Sequence, residues 1–199
     1  MTTPRYGLAA ATLNGTTVLA LGGLGNQVNT LASVEALDLA AAAGALHWTP
    51  YPSMTTPRSG HAAAVLRGLI YAAGGQNFTN NLASVERFDG GAHSTWALVA
   101  SMGTKRWFFA LVALEEGGPS HHGGMLVAAG GYPPTASAEA YDPVADEWAP
   151  IASMATARNG CAGAALLGKA YVSGGLDTNN NPFSSVEVFH PATGHWVAA

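Results

Sequence analysis

The chain has 199 residues, of which 48% are hydrophobic and only 10% charged, and its formal net charge is -4. Hydrophobic content on that scale supplies the core of one compact domain, while the acidic balance excludes an electrostatic case for nucleic acid or an anionic membrane surface. The single Cys161 excludes an intrachain disulfide framework.

Taken in order, the chain repeats itself. The first unit, about 1–53, runs from Met1 and Arg5 through an apolar LAAATL to TTVLALGG, then Asn26, Gln27 and Asn29, then SVEALD and Trp48. Its Ala41-Ala42-Ala43 stretch reads as an expanded loop between its third and fourth strands. The second unit, about 54–101, carries Met54, Arg58, HAAAVL, LIYAAGG, SVERFD and Trp96. The third, about 102–153, carries Met102, Arg106, FFALVAL, MLVAAGG, SAEAYD and Trp148, and inserts Glu115 to His122 between its first two strands. The fourth, about 154–199, carries Met154, Arg158, CAGAALL, KAYVSGG, SVEVFH and Trp196. A period near fifty is the mark of a repeat architecture.

Short apolar runs separated by Gly, Asn and Pro predict four strands per unit and an all-β array. In SVERFD, Val85, Arg87 and Asp89 fall on one face, and Ser84, Glu86 and Phe88 on the other. The second strands are apolar on both faces, which predicts sheets stacked on both sides. The alanine-rich first strands suit crowding near a common axis. No apolar run approaches bilayer length. The N-terminal apolar stretch is broken at Asn14-Gly15-Thr16-Thr17, so it fails as a signal peptide. A cytoplasmic location is the expectation that fits a lone cysteine.

The Gly-Gly doublets, Tyr71 and Tyr171 three residues before two of them, the SVE-x-aromatic-Asp segments and the following tryptophans resemble the Kelch family of β-propellers. The resemblance covers nearly the whole chain; the first copy departs most, with Leu19 and Leu37 at the two aromatic positions. It implies one Kelch-type propeller domain over 1–199, built from four four-stranded antiparallel blades. Propellers close with about 4 to 8 blades, and Kelch rings usually have more than this chain supplies. The expectation is therefore an incomplete or open propeller, with self-association through the open terminal blades.

In such a meander the loops leading into strand one and the loops between strands two and three share a rim. Family members bind peptides or protein surfaces there. The candidate ligand-binding residues are Arg5, Arg58, Arg106 and Arg158, with Tyr6, Ser59, Trp107 and Asn159 beside them. The second set of loops adds Asn77, Phe78, Tyr132, Asp177 and Phe183. Guanidinium groups suit carboxylate-bearing ligands and aromatics supply contact area. Competing structural readings exist for each. Asn and Asp are also turn residues, and the four arginines recur with Glu35, Glu86, Glu139 and Glu187 in a pattern that suits internal ion pairs. The tryptophans and methionines read as packing.

Catalysis finds little support. His121-His122 lacks metal-site spacing, Cys161 has no evident base, and no nucleophile elbow or phosphate loop occurs. No cofactor and no metal are expected. The leading function is a protein-interaction module for a protein or peptide partner. The alternative is part of a Kelch-type propeller enzyme acting on a small carbohydrate-like or metabolite substrate.

Overall fold

Turn residues cut this sequence into short apolar runs, and those runs pair with their nearest neighbours. In the computed structural model, residues 1–26, 29–42, 46–91, 93–116 and 123–199 are described. Gln27, Ala43 and the His121-His122 pair fall outside them. The first blade comprises β1 (Ala9–Leu13), β2 (Thr17–Leu21), β3 (Val34–Asp38) and β4 (Trp48–Tyr51). The second comprises β5 (Ala62–Leu66), β6 (Leu69–Ala73), β7 (Val85–Phe88) and β8 (Ala97–Val99). The third comprises β9 (Ala110–Leu114), β10 (Met125–Ala129), β11 (Ala138–Asp142) and β12 (Glu147–Ile151). The fourth comprises β13 (Ala162–Leu166), β14 (Lys169–Ser173), β15 (Val186–His190) and β16 (His195–Ala198). Each blade is an antiparallel meander with its strands in chain order. The hairpins at Arg67-Gly68 and Leu167-Gly168 have two residues at positive φ, the conformation that matches strand twist.

The predicted alternation holds, and both faces of the inner sheets are covered. Val85 packs among Tyr71, Phe109 and Tyr141 between the second and third blades. Phe88 points the other way, joining Leu13, Leu19 and Trp96 between the first and second. First strands lie side by side at the hub, β1 beside β5, β5 beside β9, β9 beside β13. Their small side chains are required there. A methyl group at Gly163 would sit 2.7 Å from Val112 and 3.0 Å from Ala110, inside contact distance in a close-packed interior.

The third blade departs from the predicted strand at 108–114, which begins only at Ala110. Phe108 has φ +52°, a left-handed conformation that no strand contains. The arc is unclosed. On the fourth blade Tyr171 is half-buried, whereas its counterpart Tyr71 is fully buried between blades, and Leu166 is exposed where Leu66 is buried. On the first blade Val18 and Leu37 are half-buried, whereas Ile70 and Phe88 at the same places are sealed.

The Gly-Gly doublets are explained by close approach of the following blade. A Cβ at Gly22, Gly74 or Gly130 would lie 2.5, 2.4 or 2.7 Å from the carbonyl oxygen of Arg58, Arg106 or Arg158. The second glycine of each doublet donates its N–H to that same carbonyl, at 2.7, 2.7 and 2.9 Å. At Gly174 no next blade approaches, and the nearest atom is 3.7 Å away. Gly74→Ala therefore carries both left-handed strain, about 1–2 kcal/mol, and an overpacking cost of about 1–3 kcal/mol. Gly174→Ala carries the strain alone. Urea unfolding of the two variants should place Gly74→Ala clearly below Gly174→Ala in stability.

Candidate functional site

Each of the four arginines sits four residues after a methionine, on the segment that leads into a first strand. All four guanidinium groups turn inward and are fully buried. They do not present themselves at the rim surface, as the carboxylate-binding expectation required. Arg58 shows the shared pattern. Its Nη1 donates to the carbonyls of Gly74 and Ser84 at 2.8 and 2.9 Å. Its Nη2 donates to the Ser84 hydroxyl at 2.9 Å and to the Glu86 carboxylate at 3.0 Å. Arg5, Arg106 and Arg158 repeat this with Glu35, Glu139 and Glu187 at 2.7, 2.9 and 3.0 Å.

Both oxygens of each carboxylate also take backbone N–H groups from the residues just after the methionine, the first on the oxygen the arginine leaves free and the second on the one it binds. Glu86 accepts from Thr55 and Thr56 at 2.7 and 3.0 Å and also from the Thr55 hydroxyl. Glu139 accepts from Gly103 and Thr104, and Glu187 from Ala155 and Thr156. The pair thus joins the inter-blade connection to the second and third strands of the blade it enters. A buried ion pair is tolerable only when its remaining lone pairs and protons are satisfied, and these nearly all are. The Nε of Arg5 and Arg158 lacks a partner among the described residues, whereas that of Arg58 and Arg106 reaches the glutamate at 3.2 and 3.3 Å.

Titration follows from this wiring. Burial alone would raise the Glu35 carboxyl, but hydrogen bonds from Thr2, Arg5 and Thr3 outweigh it and hold the group at about 2. Glu86 is likewise lowered against its burial, by Thr55 and then Arg58. His61 lies beside the Arg58–Glu86 pair, the staple of the second blade, at a position where the other blades carry Leu8, Phe109 and Cys161. Neither of its ring nitrogens has a hydrogen-bond partner among the described residues. Burial pushes its imidazole down to about 3, with Arg58 adding to the effect.

The loops expected to share a rim do meet. Tyr6 bridges Leu24, Ser59 bridges Gln76, and Asn159 bridges Leu176, each joining the loop before strand one to the loop after strand two. In the third blade the Tyr132 N–H donates to the Trp107 carbonyl at 2.9 Å. Ser59 and Asn159 are nonetheless buried, and Asn159 gives its side-chain N–H to the Leu176 carbonyl. Asn77 and Asp177 organise their own loops. The Asn77 Oδ1 accepts from the N–H groups of Thr79 and Asn80. The Asp177 carboxylate accepts from Asn181 and Asn179, which lowers its pKa. Phe183 is half-buried over the Arg158 guanidinium, 5.3 Å from its carbon, and so packs as much as it presents.

The candidate residues that remain open on this rim are aromatic: Tyr6 is 61% exposed, Phe78 80% and Tyr132 47%. Sequence reasoning left Phe108 off the rim, yet it is 45% exposed and stacks on Trp107 with centroids 4.8 Å apart. A chain of backbone hydrogen bonds crosses all four blades here. Gly60 N–H donates to Gly7, Phe108 N–H to Gly60, and Gly160 N–H to Phe108, at 2.8, 2.8 and 2.7 Å. All four residues have positive φ. Three are glycine and one is phenylalanine, a signal readable only when the four units are aligned at this position.

The fold and this rim define the class: consecutive blades of a β-propeller, each locked by a buried arginine–glutamate pair. The Kelch motif matches residues 57–103, 118–155 and 157–199, and the chain belongs to the Kelch family. It is similar to Kelch-like protein 35 of Mus musculus, 36% identical over 75% of this chain and 25% of that protein. It is also similar to Kelch-like protein 36 of Rattus norvegicus, 33% identical over 68% of this chain and 22% of the relative. Kelch-like protein 34 of Homo sapiens is 33% identical over 67% of this chain and 20% of its own length. The chain therefore spans about a quarter or less of these relatives.

Removing one partner of a buried pair strands the other charge, at a cost of about 3–5 kcal/mol. Arg106→Ala should lower the melting temperature accordingly, as read by circular dichroism. The unfolded chain protonates His61 from its ordinary value of 6.5, whereas the folded chain resists until about 3. Its contribution is full above 6.5 and declines as pH falls through that interval. Glu35 adds a second loss between 4.5 and about 2. In urea titrations the wild type should weaken from pH 6.5 downward, and His61→Leu should remove the part of that decline that precedes the carboxylate window.

Proposed function

We propose that the chain acts as one propeller domain of four repeats that holds a peptide or protein surface on the rim formed by the loops leading into strand one and the strand 2–3 loops. One observation carries this reading: the rim's backbone is pinned by bridges and buried staples, while Tyr6, Phe78 and Tyr132 stand exposed on it. Exposed aromatics on a preorganised frame are the residues that dominate protein interfaces. The arginines serve that surface indirectly, by holding its loops in place. Membership of the Kelch family and similarity to Kelch-like proteins support the same reading.

Self-association through the terminal blades is a second part of the proposal. Val18 and Leu37 at one end, and Leu166 and Tyr171 at the other, occupy places that are sealed wherever a neighbouring blade is present.

The rim assignment is tested by selecting binders from a fully random displayed peptide library on the whole chain, then mapping them. Tyr6→Ala and Phe78→Ala should each weaken the selected peptides about tenfold or more, the loss of a hot-spot contact. Val144→Ala and Leu167→Ala change residues that are 80% and 86% exposed outside this rim, and they should leave binding unchanged. The opposite pattern would place recognition elsewhere.

A further inference from the structure

The third blade breaks the pattern of the other three where its rim meets the second blade. Gly7, Gly60 and Gly160 take the left-handed conformation without steric cost, but Phe108 takes it at φ +52°. Its backbone hydrogen bonds are those of the glycines, so the fold does not require a side chain at this place. Nor is the ring there to fill the interior, since it is 45% exposed. It stacks on Trp107, and Tyr132 meets Trp107 edge-on with centroids 5.1 Å apart and planes at 71°. The result is a three-ring ledge. The Tyr132 hydroxyl makes no hydrogen bond among the described residues, and the covered Trp107 Nε1–H has no acceptor.

A polar recess of about 320 Å³ lies near the ledge on the same rim. It is lined by Gln76, Asn77, Phe78, Thr79, Asn80 and Asn81 of the second blade and by Lys105 of the third. Contacts connect the two features. Gln76 is bridged to Ser59, the next residue is Gly60, and a methyl group at Gly60 would lie 3.1 Å from the Phe108 ring. Lys105 is two residues from Trp107, is exposed, and makes no ion pair or hydrogen bond among the described residues. Among the described residues no carboxylate lines the recess. With Arg106 buried against Glu139, Lys105 is, among the described residues, the unpaired cation on this part of the rim.

Resting on the rim reading above, we infer that the crossing of the second and third blades binds an acidic peptide segment with an aromatic or aliphatic anchor, the anchor lying on the Phe108–Trp107–Tyr132 ledge and a carboxylate pairing with Lys105. Aromatic faces supply contact area for the anchor. The ammonium, set among uncharged amides, supplies charge complementarity for the acid. A neutral peptide leaves Lys105 unused, and a basic one meets like charge.

The test uses the whole chain and four displayed peptide libraries with randomised flanks. The fixed centres are an aromatic with two aspartates, an aromatic with two asparagines, an aromatic with two lysines, and an alanine with two aspartates. Binders should come from the first library, and Phe108→Gly and Lys105→Ala should each weaken them about tenfold, or about 1.4 kcal/mol. Phe108→Gly installs the residue the other three blades use, so it should fold, which thermal melting verifies. The inference is overturned if binders come equally from the asparagine or lysine libraries, or if neither substitution weakens them. Binders that respond to Phe78→Ala but to neither of these substitutions sink the inference and leave the rim reading standing. Binders that map away from the rim sink both.

Discussion

The buried pairing of one arginine with one glutamate in every blade is the constraint on which this structure depends. A guanidinium with no access to water must find acceptors for its protons, and here it finds two carbonyls, a hydroxyl and a carboxylate. The carboxylate must in turn satisfy its other oxygen, which it does with the backbone N–H and hydroxyl of Thr55 in the incoming connection. Those acceptors and donors come from three segments far apart in sequence. A charge that cannot be left unpaired therefore dictates where the second strand ends, how the third begins and how the chain arrives from the blade before.

That dictate passes from blade to blade through the arginine's own carbonyl. The oxygen receives an N–H from the preceding blade's second doublet glycine, and it approaches so closely that the first must lack a side chain. The tryptophans secure the outer part of the same junction. The indole N–H groups of Trp96, Trp148 and Trp196 donate to the carbonyls of Pro52, Ala100 and Ala152, each in the link that precedes the blade's own methionine. Packing between blades is thus fixed at hub, rim and periphery, and the loops above can vary without disturbing it. Function is free to reside in those loops.

Much of the architecture was legible in the sequence because turn chemistry and alternation act locally. The four-strand units, the crowded first strands and the open arc all follow from that pattern. The Arg–Glu partnership was readable as a recurring pair, but full burial of the guanidinium was not, since burial depends on strands thirty residues away. For the same reason Ser59 and Asn159 look like rim residues in the sequence and prove to be buried bridging positions. Asn77 and Asp177 carry the side chains of ligand contacts yet spend their oxygens on their own turns. Phe108 was hidden because its conformation belongs to a glycine, and strand propensity alone assigns it to β9.

The most direct test is a double-mutant cycle at the second blade, with Arg58→Met, Glu86→Leu and the combined variant compared by urea unfolding. If the pair is a mutually dependent unit, the two losses should fall short of additivity, with a coupling of about 2 kcal/mol or more. Losses that add to within about 0.3–0.5 kcal/mol would show two independent residues and contradict the account.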